Sequence, residues 1–180
     1  MHKKYTWMLA PTVLLPYLVL TALAMIFLSP TVALFGNMMQ SVFDGNAWHL
    51  IIVLLVICAI AVALSVTHNV LAVRYRWDAF ALSKMAMIVK LMQVPAYVLI
   101  FALGVACVAV IWTIPFAIGL FLLDGLTLML TALVTVAAVV NGVREKMVTV
   151  QAGVVLILLQ FMFCADVAAA IVLYRKLKRR

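Results

Sequence analysis

The sequence predicts an all-α, polytopic transmembrane helical bundle, with about five hydrophobic helices and one interfacial amphipathic helix. Three observations carry this prediction. First, 69% of the 180 residues are hydrophobic and 10% are charged, whereas a soluble domain averages about 45–50% apolar and about 25% charged. A soluble core of this size cannot hide so much apolar surface. The mean hydropathy of +1.31 is equally incompatible with disorder, which requires few apolar residues. Second, the apolar residues fall into long uncharged runs, most of them matching the about 20 residues that cross a bilayer. Third, Lys and Arg gather at the ends of those runs, where orientation signals and headgroup contacts belong.

The first run, about 7–29, follows Lys3 and Lys4. Ala22-Leu23-Ala24 resembles a signal-peptidase site after a basic start. The apolar run continues through Met25, Ile26, Phe27 and Leu28, so an uncleaved span is expected, bent at Pro11 and Pro16. Residues 30–43 carry no Lys or Arg. Ser29-Pro30 reads as an N-cap followed by proline at the first helical position. Leu34, Phe35, Met38, Met39 and Val42 recur at helical spacing, with Asn37, Gln40 and Ser41 on another side. That pattern predicts an interfacial helix on the outer face of the membrane. Asp44-Gly45-Asn46 reads as a turn, and Trp48 as an aromatic-belt residue.

The second span is expected over 50–73, where Ala59 and Ala63 permit close helix packing. Arg74, Arg76, Lys84 and Lys90 then read as a basic helical connector, with Trp77 and Phe80 as interface anchors. Between 91 and 141 the only charge is Asp124. As one helix this stretch would be about 77 Å long, against a hydrocarbon core of about 30 Å, so it must fold back or bend. A turn at Pro115 gives two spans, 92–113 and 116–141. A turn at Asp124-Gly125 gives one crossing and a short half-span. A polar connector holds Arg144, Glu145 and Lys146, a final span covers 148–174, and the tail 175–180 is strongly basic.

The positive-inside rule places the N-terminus in the cytoplasm, residues 30–48 outside and residues 74–90 inside. Beyond that, two rules conflict. Crossing twice over 91–141 puts the basic tail outside, and crossing once puts it inside. Charge favours one crossing, and length favours the hairpin.

The net charge is +8. Its placement at run ends points to lipid headgroups, and no basic, aromatic-interleaved segment suggests nucleic acid. Cys58, Cys107 and Cys164 lie in separate apolar runs without a CxxC pair, which points to packing rather than a disulfide or zinc site. No metal or cofactor is expected.

Ionisable groups inside spans cost about 2.5–3.5 kcal/mol each on insertion scales. This singles out His68, Asp124 and Asp166 as candidates, with Gln160 as a possible hydrogen-bond partner. Each also has a structural explanation. His68 sits close to Arg74 and can reach headgroups. Asp124 can cap a turn with Gly125. Asp166 lies about 12 Å along a helix from Tyr174, too deep to reach water, and suits a structural hydrogen bond. Thr127, Thr131 and Thr135 read as a packing seam. With a turn at Pro115, Asp124 and Asp166 fall at matching depth, and a carboxylate pair sharing a proton becomes one arrangement to look for.

Catalytic constellations are missing. Neither aspartate has the flanking residues of intramembrane aspartyl proteases. Asp124-Gly125 begins an alcohol-phosphotransferase signature that the following residues do not continue. Glu145 is the only glutamate, so zinc-binding histidine–glutamate helices are excluded, and no glycine loop cradles phosphate. The chain is therefore expected not to be an enzyme.

Three stretches, Lys90-Leu91-Met92-Gln93-Val94-Pro95-Ala96-Tyr97, Leu122-Leu123-Asp124 and Leu159-Gln160-Phe161-Met162-Phe163-Cys164-Ala165-Asp166-Val167, resemble a family of small multi-pass membrane proteins from Gram-positive, often gut-associated, bacteria. The resemblance covers roughly the C-terminal half. It implies a membrane location and this fold class, and no activity. The expected role is a non-enzymatic protein of the bacterial cytoplasmic membrane acting through helix contacts with a membrane-protein partner or a second copy, as an accessory, sensor or immunity-type protein. The alternative is a small transporter or channel component using Asp124 and Asp166.

Overall fold

The computed structural model describes residues 2–28, 30–109, 114–162 and 165–178. A 3₁₀ segment, His2–Leu9, leads into α1 (Ala10–Leu28). There follow α2 (Ala33–Phe43), α3 (Ala47–Arg74), α4 (Ala79–Val108), α5 (Ile114–Arg144), α6 (Val150–Leu159) and α7 (Ala165–Lys178). Every regular element among the described residues is helical. Lipid offers no partner to a backbone N–H or C=O, and a helix satisfies both internally. Among the described residues four stretches are long and apolar enough to cross a membrane: Tyr5–Leu28, Ala47–Arg74, Ala79–Val108 and Phe116–Arg144.

The helices alternate in direction. α1 rises from what we call the basic end. At the far end Ala22 and Met25 of α1 meet Met39 of α2 and Leu50 of α3. The α2 helix forms where its apolar spacing predicts. Met39 is buried and Phe35 packs beside it, while Leu34 and Val42 face outward. It begins at Ala33, and the expected cap at Ser29 lies outside the described residues. The Asp44-Gly45-Asn46 turn is present. Asp44 and Gly45 take positive φ, 53° and 69°, and the Asn46 side chain accepts from the Trp48 N–H at 2.9 Å, capping α3.

α3 and α4 are joined by residues 75–78 alone. Arg76 adopts φ 48°, and Asp78 caps α4 by accepting from the Ala81 N–H at 2.7 Å. The expected connector 74–90 and span 92–113 are therefore corrected: most of the connector belongs to α4, which starts at Ala79. Trp77 is not an interface anchor. It is only 5% exposed, stacked on Tyr5 with ring centroids 5.5 Å apart. Asn141 of α5 locks this corner by donating from Nδ2 to the Ala72 and Trp77 carbonyls, at 3.0 and 2.8 Å.

α4 and α5 form the hairpin that length favoured. They pack along their lengths, with Ile100 against Leu120 and Leu123 near the far end and Asn141 at the Trp77 corner. The expected span 116–141 extends to Ile114–Arg144. The turn residues 110–113 lie outside the described residues.

The final run does not form the span expected over 148–174. α6 has 10 residues, a length of about 15 Å. Residues 160–162 then turn through N–H bonds to carbonyls three residues back. α7 returns antiparallel to α4: Asp166 lies beside Lys90, Tyr174 stacks on Phe80 at 5.5 Å, and Leu177 lies near Gly142 and Ala79. This is a re-entrant helical hairpin, entering from the basic end and leaving by it. Gly153 makes the entry possible, since a Cβ there would stand 3.0 Å from Val139 and 3.3 Å from Val143. A leucine-rich sequence can cross lipid or fold back within it. Here the small face of α6 on α5 and the match of α7 to α4 favour folding back.

The hairpin removes the conflict between charge and length. Lys3, Lys4, Arg74, Arg76, Arg144, Lys146, Arg175, Lys176 and Lys178 all stand at the basic end, and Lys84 lies within about two turns of it. Lys90 is the exception among the described residues. Single cysteines placed in a background lacking Cys58, Cys107 and Cys164 test this layout. Asn46→Cys is expected to label from one side of a sealed vesicle, and Arg76→Cys and Lys178→Cys only from the other. Labelling of Lys178→Cys together with Asn46→Cys would restore the full-length final span.

Candidate functional site

The elements above converge on a polar core in the lower half of the bundle, towards the basic end. Lys90 of α4 and Asp166 of α7 form an ion pair, Nζ to Oδ2 at 2.7 Å, with side chains 0% and 2% exposed. Lys90 lies about 16 Å along α4 from Ala79, deeper than the reach of a lysine stem to water. Asp166 occupies the first turn of α7, where the helix dipole favours a carboxylate. Its own N–H is satisfied by the Met162 carbonyl at 3.1 Å. The turn of the re-entrant hairpin thus places a negative charge at depth, and α4 supplies its counter-charge.

Gln93 and Tyr97 continue the polar face of α4, one and two turns beyond Lys90. The Tyr97 hydroxyl donates to Gln93 Oε1 at 3.0 Å and lies within reach of Thr131 and Thr127 on α5. Gln93 Nε2 donates to the Thr12 carbonyl of α1 at 2.9 Å. Pro16 stands four residues after Thr12 inside α1, and having no N–H it leaves that carbonyl without its helical donor. Gln93 replaces the missing bond. A second bond crosses the same interface from the Tyr17 hydroxyl to the Met92 carbonyl, beside Pro95 within α4. The prolines of two neighbouring spans are thus each accompanied by a cross-helix hydrogen bond.

The sequence candidates fare differently. Asp166 is in the core, but its partner is Lys90. No hydrogen bond joins it to Asp124, which lines the groove between α4 and α5 together with Ile100, although the two carboxyl groups remain within electrostatic range of each other. The paired-aspartate arrangement is replaced by an acid–base pair, because Lys90 is inside the span and neutralises the charge that a second carboxylate would have repelled. Asp124 does not cap a turn. It lies within α5, its carbonyl accepts from Thr127 Oγ1 at 2.9 Å, and its Oδ1 is buried without a protein partner.

His68 does not reach the headgroups. It is fully buried, neither ring nitrogen has a protein partner, and it meets Trp77 edge-on at 5.1 Å. Gln160 is buried at the end of α6, with Nε2 donating to the Leu156 carbonyl at 3.2 Å and Oε1 unpartnered. It shares the hairpin turn with Asp166 without bonding to it. The Thr127–Thr131–Thr135 ladder is buried as expected, and Thr131 back-bonds to the Thr127 carbonyl at 3.1 Å. Cys58 is half-buried, and Cys164 lies outside the described residues. No group of three or more His, Cys, Asp or Glu residues is gathered for a metal among the described residues.

Sequence reasoning missed Lys90, Gln93 and Tyr97. A signal was present: these three recur at i, i+3 and i+7 on an otherwise apolar helix, with Val89 and Leu91 flanking the lysine. A lysine at a span end reads as an anchor, and only its counter-ion on a distant element reveals it as internal.

Fold and site together define a membrane protein: an all-α bundle with four helices long enough to cross a bilayer, a re-entrant hairpin and a buried charge pair. No family model, curated protein or solved structure matches the chain.

Proposed function

We propose that the chain is a small non-enzymatic transporter, or the charge-handling component of one, which passes protons or another cation through the bacterial cytoplasmic membrane. One observation carries this reading: the Lys90–Asp166 pair, held at depth by a hairpin of two short helices. Transporters build substrate and ion sites where broken helices meet near mid-membrane. Ionisable residues inside spans are expensive and mark ion paths or proton relays. A purely structural role is the weaker explanation, because apolar residues of similar volume usually serve stability as well or better than a buried ion pair. By the positive-inside rule the basic end is cytoplasmic. Membership of the Gram-positive family and a multi-pass bacterial location belong to the same proposal.

The test is flux in proteoliposomes. Purified chain is reconstituted with an internal pH-sensitive dye, or with sodium- and potassium-sensitive dyes, and a membrane potential is imposed. Flux above protein-free vesicles is expected, falling at least about tenfold in Asp166→Asn and in Lys90→Gln. Flux unchanged in folded Asp166→Asn would overturn the assignment of the path to this pair. No flux of any of these ions would leave the other role, a protein acting through helix contacts with a membrane partner or second copy.

A further inference from the structure

We infer that the groove between α4 and α5 near the far end is a binding site for a lipophilic organic cation, entered sideways from the membrane. The inference names a substrate class for the transport reading and rests on that reading only for turnover, since binding is measured separately.

The groove encloses about 370 Å³ and is walled by Phe101, Gly104 and Val105 of α4 and by Ala117, Phe121 and Asp124 of α5. Its volume falls within the range of small-molecule pockets, about 300–1,000 Å³. Gly104 faces open space, since a Cβ there would meet no atom within 4 Å, so a larger side chain has room to enter the groove. The walls are otherwise apolar, and the one charged residue lining it among the described residues is Asp124; the Oδ1 of that carboxyl group is itself covered and has no protein hydrogen-bond partner. Asp124 lies about 15 Å along α5 from Ile114, inside the span. It therefore differs from Asp166, whose charge the protein itself neutralises.

Charge complementarity selects the occupant. A lone carboxylate in an apolar wall is costly unless a counter-charge comes with the ligand. A hydrated metal ion brings the charge but needs several oxygen ligands, and the groove offers one carboxylate. A phosphate or other anion meets only repulsion. A neutral acyl chain matches the walls and leaves Asp124 unanswered. A cation carrying its own apolar coat satisfies both features. Phe101 and Phe121, 63% and 76% exposed, stand at the rim on opposite helices, where aromatic faces attract a desolvated cation.

The experiment is equilibrium dialysis of the full-length chain in detergent with radiolabelled tetraphenylphosphonium, using neutral triphenylphosphine oxide as comparator. Saturable binding of about one cation per chain is expected, weakened at least about tenfold in Asp124→Asn. Gly104→Leu, which fills the groove without altering charge, is expected to abolish it. Circular dichroism and elution volume establish that each variant is folded, and Asp124→Asn decides alone if Gly104→Leu is not. No saturable binding overturns the inference. Equal binding by folded Asp124→Asn, or equal binding of the neutral comparator, also overturns it and identifies an acyl-chain groove. Binding without flux keeps this site and sinks the transport reading, and flux without binding does the reverse.

Discussion

Asp166→Leu alone is expected to destabilise the folded chain by about 3–5 kcal/mol, and Lys90→Met alone by a similar amount. Each leaves an uncompensated charge at a fully buried position, where the partner side chains are 0% and 2% exposed. The double variant Lys90→Met/Asp166→Leu is expected to regain most of that loss. It buries two apolar side chains of similar volume where the pair stood, and such replacements are commonly neutral or stabilising. Denaturation in mixed micelles, followed by circular dichroism, measures all three. The double variant is also the sharpest functional reagent: it is expected to fold and to carry no flux. If it is as unstable as either single variant, the pair is needed to seat the hairpin, and loss of flux in point variants says nothing about a path. If it folds and still conducts, the pair is not the path.

Gln93→Leu is expected to cost about 1–3 kcal/mol, the penalty for leaving a buried polar group unsatisfied. The group in question is the Thr12 carbonyl, which Pro16 cannot serve and to which Gln93 donates at 2.9 Å. A double-mutant cycle separates this from simple loss of packing. In a Pro16→Ala background residue 16 regains its N–H, the Thr12 carbonyl recovers its helical donor, and Gln93→Leu is expected to cost at least about 1 kcal/mol less. The remaining cost belongs to Tyr97, whose hydroxyl loses its 3.0 Å acceptor. An identical cost in both backgrounds would show that Gln93 does not compensate for the proline.

Local chemistry was legible. The period of Leu34, Phe35, Met38 and Met39 located α2, and Asp44-Gly45-Asn46 located the turn after it. The chain length between 91 and 141 required a reversal, and α4 and α5 supply it. Asp166 stood out because a carboxylate in an apolar run is expensive wherever the run ends up. Misread were the residues whose meaning depends on a neighbour far along the chain. Trp77 looked like a headgroup anchor and is instead covered by Tyr5 and His68. Gln93 shared a helix face with Lys90 and Tyr97, but its task is set by a proline on another helix.

What the sequence determined by itself is the solvent and the secondary structure. With 69% hydrophobic residues in long runs, the chain requires lipid around it, and lipid permits these runs only as helices, because their backbone groups find no other partner. What the tertiary structure alone decided is which runs cross and where charges reside. An apolar run gains nearly the same transfer free energy whether it spans or folds back, so hydropathy is blind to the choice between a final span and the α6–α7 hairpin. Contacts decide it: Gly153 against Val139, Tyr174 against Phe80 and, at the turn, Asp166 against Lys90. The same holds for that lysine. A charge inside the bilayer is far less costly beside its opposite, and the distance between two residues from separate helices is a property of the fold.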